Sequence, residues 1–223
     1  MGIRAAILLL LLLGTIGCKD QLELQEMPIE FDGQRITLTK DYLAQRYGII
    51  QDHPEIEPKI IVLHWTVIPT LEQSYEAFQK PTLPNWRPEI ESVSGLNVSA
   101  HFLVDHDGTI YRLMPETYMA RHVIGLNHCA IGVENVGGAA DQPLTAAQVE
   151  ANIRLIDYLA GKYPIDYLIG HYEYTRFEEH PLWLEIDPTY RTEKTDPGPE
   201  FMQQVRAGTQ HHQFKPLPKP SEK

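Results

Sequence analysis

Lys194 and Asp196 stand two positions apart in "YRTEKTDPGPEF", directly before Pro197 and Gly198. A proline holds the residue before it to extended angles, and side chains at i and i+2 of an extended segment share a side. The spacing predicts a lysine and a carboxylate that project together from a stretch unable to become helical. Taken alone, the pair reads as a solvated turn. Two histidines change that reading. His64 closes the apolar run "KIIVLHWT", and His171 closes "DYLIGH". A strand end fixes a side chain while the loop beyond it opens space for a site. Two imidazoles and one carboxylate form a donor set that holds zinc and leaves a fourth position for water. Glu134 lies in "AIGVENVGG", an otherwise apolar strand. An acid there is seldom buried without a partner or a task, so it is the candidate general base; the competing reading is an outward-facing edge residue.

The elements that must position these groups are legible in outline. The continuous apolar run 59–66 has the character of a central strand. "NVSAHFLVD" and "TIYRLMP" flank "HDG", a hairpin signal. "TLTKDYLAQRYG" predicts a short helix stopped at Gly48, "LEQSYEAF" a weaker one, and "GPEFMQQVRAG" a last one. The strongest helix spans 145–163: Thr145 and Gln148 form a capping box, then Val149, Ile153, Ile156 and Leu159 follow at helical spacing, and Pro164 closes it. The order of elements predicts an α/β fold: a single domain over residues 32–208, with a central mixed β-sheet flanked by helices and the zinc site at strand ends. "KDQLELQEMPIEF" reads as a polar tether over 18–31, and the Pro- and Lys-rich residues 209–223 as a disordered tail. In that tail the pair His211 and His212 can bind metal adventitiously.

The chain has 223 residues and a net charge of −11, which argues against a nucleic-acid partner because phosphate binding needs clustered Lys and Arg. "MGIRAAILLLLLLGTIGC" has an apolar run too short to be a stop-transfer helix, and residues 1–17 read as a signal peptide. The small residues before Cys18 resemble a bacterial lipoprotein signal, in which the cysteine carries lipid; an ordinary secretory signal is the competing reading. The expectation is an exported lipoprotein of the cell envelope, periplasmic and outer-membrane anchored, acting as a monomer. Only Cys129 then remains, beside an apolar strand, where a buried small hydrophobe is expected.

"IIVLHWT", "VSAHFLVDHDGTIYRL", "AIGVENVG", "IGHYEY" and "KTDPG" occur here in the order and context of the family 2 N-acetylmuramoyl-L-alanine amidases. The resemblance covers roughly residues 55 to 205. It implies a zinc hydrolase cleaving the amide between N-acetylmuramic acid and L-alanine, in peptidoglycan or muropeptides, on the fold shared with peptidoglycan-recognition proteins. By matched position it implies that His64, His171 and Asp196 hold Zn2+, that Glu134 is the catalytic acid–base, and that Lys194 lies near the scissile carbonyl. His122, in "ARHVIGLNH", and Asn127 after it are expected as substrate contacts, whereas His101 is not a ligand. His53, His106, His128 and His180 are read as surface or structural. The stretch between His171 and Asp196 is longer than in compact family members. This insertion, 172–193, leaves His180 or Asp187 open as a rival third ligand. Its aromatics Tyr172, Tyr174, Phe177, Trp183 and Tyr190 suit either a glycan groove or anchorage of the loop. Two other function classes stay in view: a muropeptide-binding module without catalysis, and a cysteine peptidase using Cys129 with His128 or His171.

Overall fold

The computed structural model describes residues 22–85 and 93–219. The leader and Cys18 lie outside the described residues. Among the described residues, β1 (Gln25–Glu26), β2 (Ile60–Trp65), β3 (Phe102–Val104), β4 (Ile110–Arg112), β5 (Ala130–Asn135) and β6 (Tyr167–Gly170) form one sheet, in the order β1–β4–β3–β5–β2–β6. β3 and β4 are the antiparallel hairpin expected around "HDG", and the other neighbours run parallel. The sheet is therefore mixed, as predicted. No helix among the described residues is long and apolar enough to cross a membrane.

Among the described residues, four helices surround the sheet: α1 (Gly33–Tyr47), α2 (Leu71–Gln79), α3 (Ala146–Lys162) and α4 (Pro199–Gly208). α1 starts at Asp32, whose side chain accepts from Arg35 N, and stops at Gly48 in the left-handed conformation. Strand parity then divides the molecule into layers. Ile61 and Leu63 of β2 and Ile131 and Val133 of β5 point toward α3 and α4, meeting Leu155, Leu159, Met202 and Val205. The intervening positions Ile60, Val62, Ala130 and Ile169 point the other way. They pack under the loop residues Val123, Ile124 and Leu126 and the insertion residues Tyr174 and Phe177.

α3 carries the expected capping box: Gln148 N donates to Thr145 Oγ1 at 3.1 Å, and Thr145 N donates to Gln148 Oε1 at 2.9 Å. Its buried face is rotated from the expected stripe. Gln148, Ala151, Asn152 and Leu155 are buried, while Val149 and Ile153 are only partly covered. Two polar residues turn inward because the sheet offers them partners. Gln148 Nε2 donates to the carbonyls of Val104 and Val136 at 3.1 and 2.9 Å, and Asn152 Nδ2 donates to Asn135 Oδ1 at 2.7 Å.

The first and last described segments depart from expectation. The presumed tether is part of the body from Leu22 onward: Leu22 and Leu24 pack on the main core, and β1 pairs with β4. Residues 209–219, expected to be disordered, lie against the domain. Thr209 is buried, Lys215 N donates to Asp166 O at 2.8 Å, and Arg176 Nε donates to Pro218 O at 2.8 Å. A Pro-rich segment cannot form a core of its own, but it needs none when its partners lie elsewhere in the chain.

Candidate metal centre and active site

The parity that buries Val62 also aims the site. His64 follows Ile60 and Val62 on one face, Glu134 follows Ala130 and Gly132, and His171 follows Tyr167 and Ile169. In the parallel register His64 pairs with Glu134 and Leu63 with Gly170, so the three residues form a row across β5, β2 and the end of β6. The row lies on the face opposite α3 and α4. Asp196 reaches it from the loop before α4, where Tyr172 N donates to Asp196 O at 3.1 Å and the Asp196–Pro197 peptide is cis.

Three donor atoms converge. His64 Nδ1 is 3.0 Å from His171 Nδ1 and 3.1 Å from Asp196 Oδ2, and His171 Nδ1 is 3.0 Å from the same oxygen. All three residues are buried. Burial first, and the neighbouring His64 second, push the His171 imidazole down to about 4. Burial alone raises the Asp196 carboxyl, but hydrogen bonds and charge from His171 and His64 outweigh it and hold the group well below the usual carboxylate range.

The hydrogen-bond network assigns the tautomer of His64. His122 Nε2 faces the carbonyl of Ala130 at 3.3 Å and so carries the proton; His122 Nδ1 accepts. His64 Nε2, 3.0 Å from that acceptor, therefore donates to it, which leaves a bare lone pair on His64 Nδ1. A single proton on His171 Nδ1 can serve only one of its two neighbours. The remaining acceptors face each other at about hydrogen-bond distance, an arrangement that calls for a cation. The donor set thus fits a divalent metal held by His64, His171 and Asp196.

His122 and Asn127, expected as substrate contacts, both border the cleft beside His171 and Lys194, with their polar side-chain atoms bonded to protein. The His122 ring lies over Gly132, where a Cβ would come within 2.8 Å of it, and both ring nitrogens face protein. Asn127 is 1% exposed. Its Oδ1 accepts from His122 N and Val123 N, both at 2.8 Å, and its Nδ2 donates to Tyr47 Oη at 2.9 Å. Asn127 holds the loop that places His122, and His122 orients His64. A second chain missed by sequence reasoning runs from α3. Asn152 bonds Asn135, and Asn135 Nδ2 donates to His64 O at 2.9 Å. Two polar residues four apart on a buried helix face, Gln148 and Asn152, were its signal.

The rivals fall away. His180 Nε2 meets Tyr167 Oη at 3.1 Å and its Nδ1 accepts from Leu182 N at 3.2 Å. Asp187 accepts from Thr189 N and Oγ1 at 2.8 and 2.7 Å. Neither reaches the centre. Cys129 is buried, and that burial pushes its thiol up to about 12, far from a thiolate nucleophile. In the insertion, Tyr174 and Phe177 are buried, and Trp183 covers Gly125, where a Cβ would come within 2.5 Å of its ring. Arg191 lies 4.5 Å over Trp183, and Glu185 pairs with Arg46 of α1. These aromatics anchor the loop. Its last residues, Tyr190 and Thr192, join Lys194, Arg121, His122 and His171 around a cleft of about 180 Å³. Lys194 lies close enough for its charge to help lower His171.

Comparison with known proteins agrees with the resemblance seen in the motifs. An endolysin of Escherichia phage T7 is 35% identical over 83 residues, 35% of this chain and 55% of the relative, and that of Enterobacteria phage T3 is 34% identical over the same length. The chain spans about half the length of these curated relatives. The fold is that of the N-acetylmuramoyl-L-alanine amidase LysC from Clostridium intestinale URNW, with a TM-score of 0.53 at 21% identity over 86% of this chain and 99% of that one. AmpD gives 0.52 at 23% over 84% and 95%, and bumblebee PGRP-SA 0.51 at 18% over 88% and 99%. The N-acetylmuramoyl-L-alanine amidase family matches residues 54–199, more than half of the chain, with His64, Glu134, His171, Lys194 and Asp196 all inside the match, and the chain belongs to that family.

Proposed function

We propose that the protein is a zinc-dependent N-acetylmuramoyl-L-alanine amidase acting on peptidoglycan or its muropeptide fragments. The observation that carries this reading is the convergence of His64 Nδ1, His171 Nδ1 and Asp196 Oδ2 within 3.1 Å of one another, with Glu134 beside His64 in register. His2Asp is a donor set that suits zinc and leaves room for water. Zinc, when bound, supplies a Lewis acid and a water acidic enough to give hydroxide near neutral pH. Glu134 takes the proton of the attacking water and returns it to the leaving amine, the two transfers of a general acid–base in amide hydrolysis. Lys194, on the cleft wall beside His171, donates to the oxyanion of the tetrahedral intermediate. His122 and Asn127 act behind these groups by fixing the His64 tautomer and ring orientation. Tyr190 and Thr192 let the insertion shape the wall against which substrate lies.

Mass spectrometry of muropeptides incubated with and without a chelator tests the reading. The expected products are the free stem peptide and the sugar with an intact lactyl group, formed only with metal. Binding without product would leave a recognition module in place of the enzyme.

The same reading includes envelope attachment through lipid on Cys18, supported by the apolar run and small residues of 1–17. A Cys18→Ser variant then leaves the membrane fraction while keeping soluble activity.

A further inference from the structure

Away from the cleft, a second set of donors converges on the opposite side of the sheet. Asp157 lies on α3, and His211 and His212 lie in the turn Gln210–His212 that follows α4. His212 Nε2 is 2.6 Å from Asp157 Oδ1, and His211 Nε2 is 3.1 Å from the same oxygen. All three donor atoms lie within 4.8 Å of one another. Consecutive residues seldom present the same ring nitrogen to one point. The tight turn brings these two rings to 4.1 Å between centroids, at 40° to each other.

The turn is built, not loose. Thr209 is 1% exposed, and its Oγ1 donates to Val205 O at 3.0 Å, which ties the turn to α4. The His212 ring stacks on Phe214 at 5.4 Å, and Phe214 packs on the main core. Asp157 and the two histidines border a cavity that also meets Glu23, Asp107 and Arg154, so a hydrated ion can reach them. Both imidazoles can present Nε2 lone pairs when neutral, and Asp157 supplies the charge. Two imidazole nitrogens and one carboxylate oxygen are borderline ligands that favour zinc, nickel or copper over magnesium or calcium.

We propose that Asp157, His211 and His212 form a second metal site, for Zn2+ or a similar borderline divalent cation, that staples the segment after α4 to α3. Water completes the coordination, since His211 and Asp157 stay largely exposed. The role is structural: the site lies on the α3–α4 side of the sheet, away from Glu134 and Lys194. The proposal is independent of the hydrolase reading.

The test is a zinc titration of the untagged full chain after stripping with a chelator, followed by calorimetry. Two equivalents per chain are expected, the weaker one lost in His211→Ala/His212→Ala and the tighter one lost in His64→Ala. Asp157→Asn, which keeps shape and hydrogen bonding, is expected to lose the weaker equivalent as well. Zinc should also slow amide exchange in residues 209–219 of the wild-type chain and of His64→Ala, but not of the double variant. A single equivalent in wild type that is lost in His64→Ala overturns the site. So does a second equivalent that survives in Asp157→Asn, because the histidines would then bind alone and adventitiously, or zinc that leaves exchange in 209–219 unchanged.

Discussion

At the scale of single residues, the outcome turns on which nitrogen carries which proton. His64 presents a bare Nδ1 to Asp196 only because His122, itself fixed by Ala130 O and by Asn127, accepts from the other side of the ring. Removing such a support typically costs about 10- to 100-fold in metal affinity. His122→Ala is therefore expected to weaken zinc binding by that factor, read by competition with a chromophoric chelator, without loss of the fold. Glu134→Ala is expected to keep zinc and lose hydrolysis; near-normal muropeptide cleavage would reassign the base. Lys194→Ala should lower kcat by about 10²- to 10³-fold at unchanged zinc content, the usual cost of one oxyanion donor. His64, His171 and Asp196 were legible because strand ends and a Pro-Gly turn leave marks in sequence. The bonding of Asn127 was not legible, because proximity in a motif does not say which way an amide points. Its four partners lie on α1, on the loop before β5 and in the His122 backbone, and only the fold brings them together.

At the scale of elements, period decides and polar partners adjust it. β2 and β5 read correctly as buried strands, and the hairpin fell where "HDG" placed it, since a continuous apolar run and turn chemistry are local properties. α3 was correct in extent and cap but rotated in face, because Gln148 and Asn152 find backbone and side-chain partners on the sheet that no local pattern displays. This difference is measurable. Leu155, fully buried against β2 and β5, is expected to cost about 2 to 5 kcal/mol on truncation to Ala. Val149→Ala, at a partly covered position, should cost clearly less in denaturant midpoint at unchanged m-value. The reverse ranking would restore the stripe of Val149, Ile153, Ile156 and Leu159. The first and last described segments were misjudged for a related reason. Composition marks residues 209–219 as unable to form a core, yet Asp166, Arg176 and the α3 surface give them a place to lie.

For the whole molecule, the concentration of buried imidazoles sets a direction for pH. His101 is fully buried, with Nδ1 accepting from Gly132 N at 2.9 Å and Nε2 donating to Tyr118 O at 2.7 Å. Burial pushes it down to about 4, and it does the same to His128. A second proton on His101 would set an N–H against the Gly132 N–H. In the unfolded chain each of these groups takes up its proton near pH 6.5. Between about 6.5 and 4 the unfolded state then binds protons that the folded state refuses, so stability falls as pH falls. For His101 alone the full span is on the order of 3 kcal/mol. Denaturant unfolding of the metal-free protein at a series of pH values measures this slope. His101→Asn should be less stable than wild type at pH 7 but lose less on acidification, by about one proton per chain across that window. An unchanged slope would mean that His101 titrates alike in both states, and that the enclosure of this histidine between β5 and the loop before it does not keep it neutral.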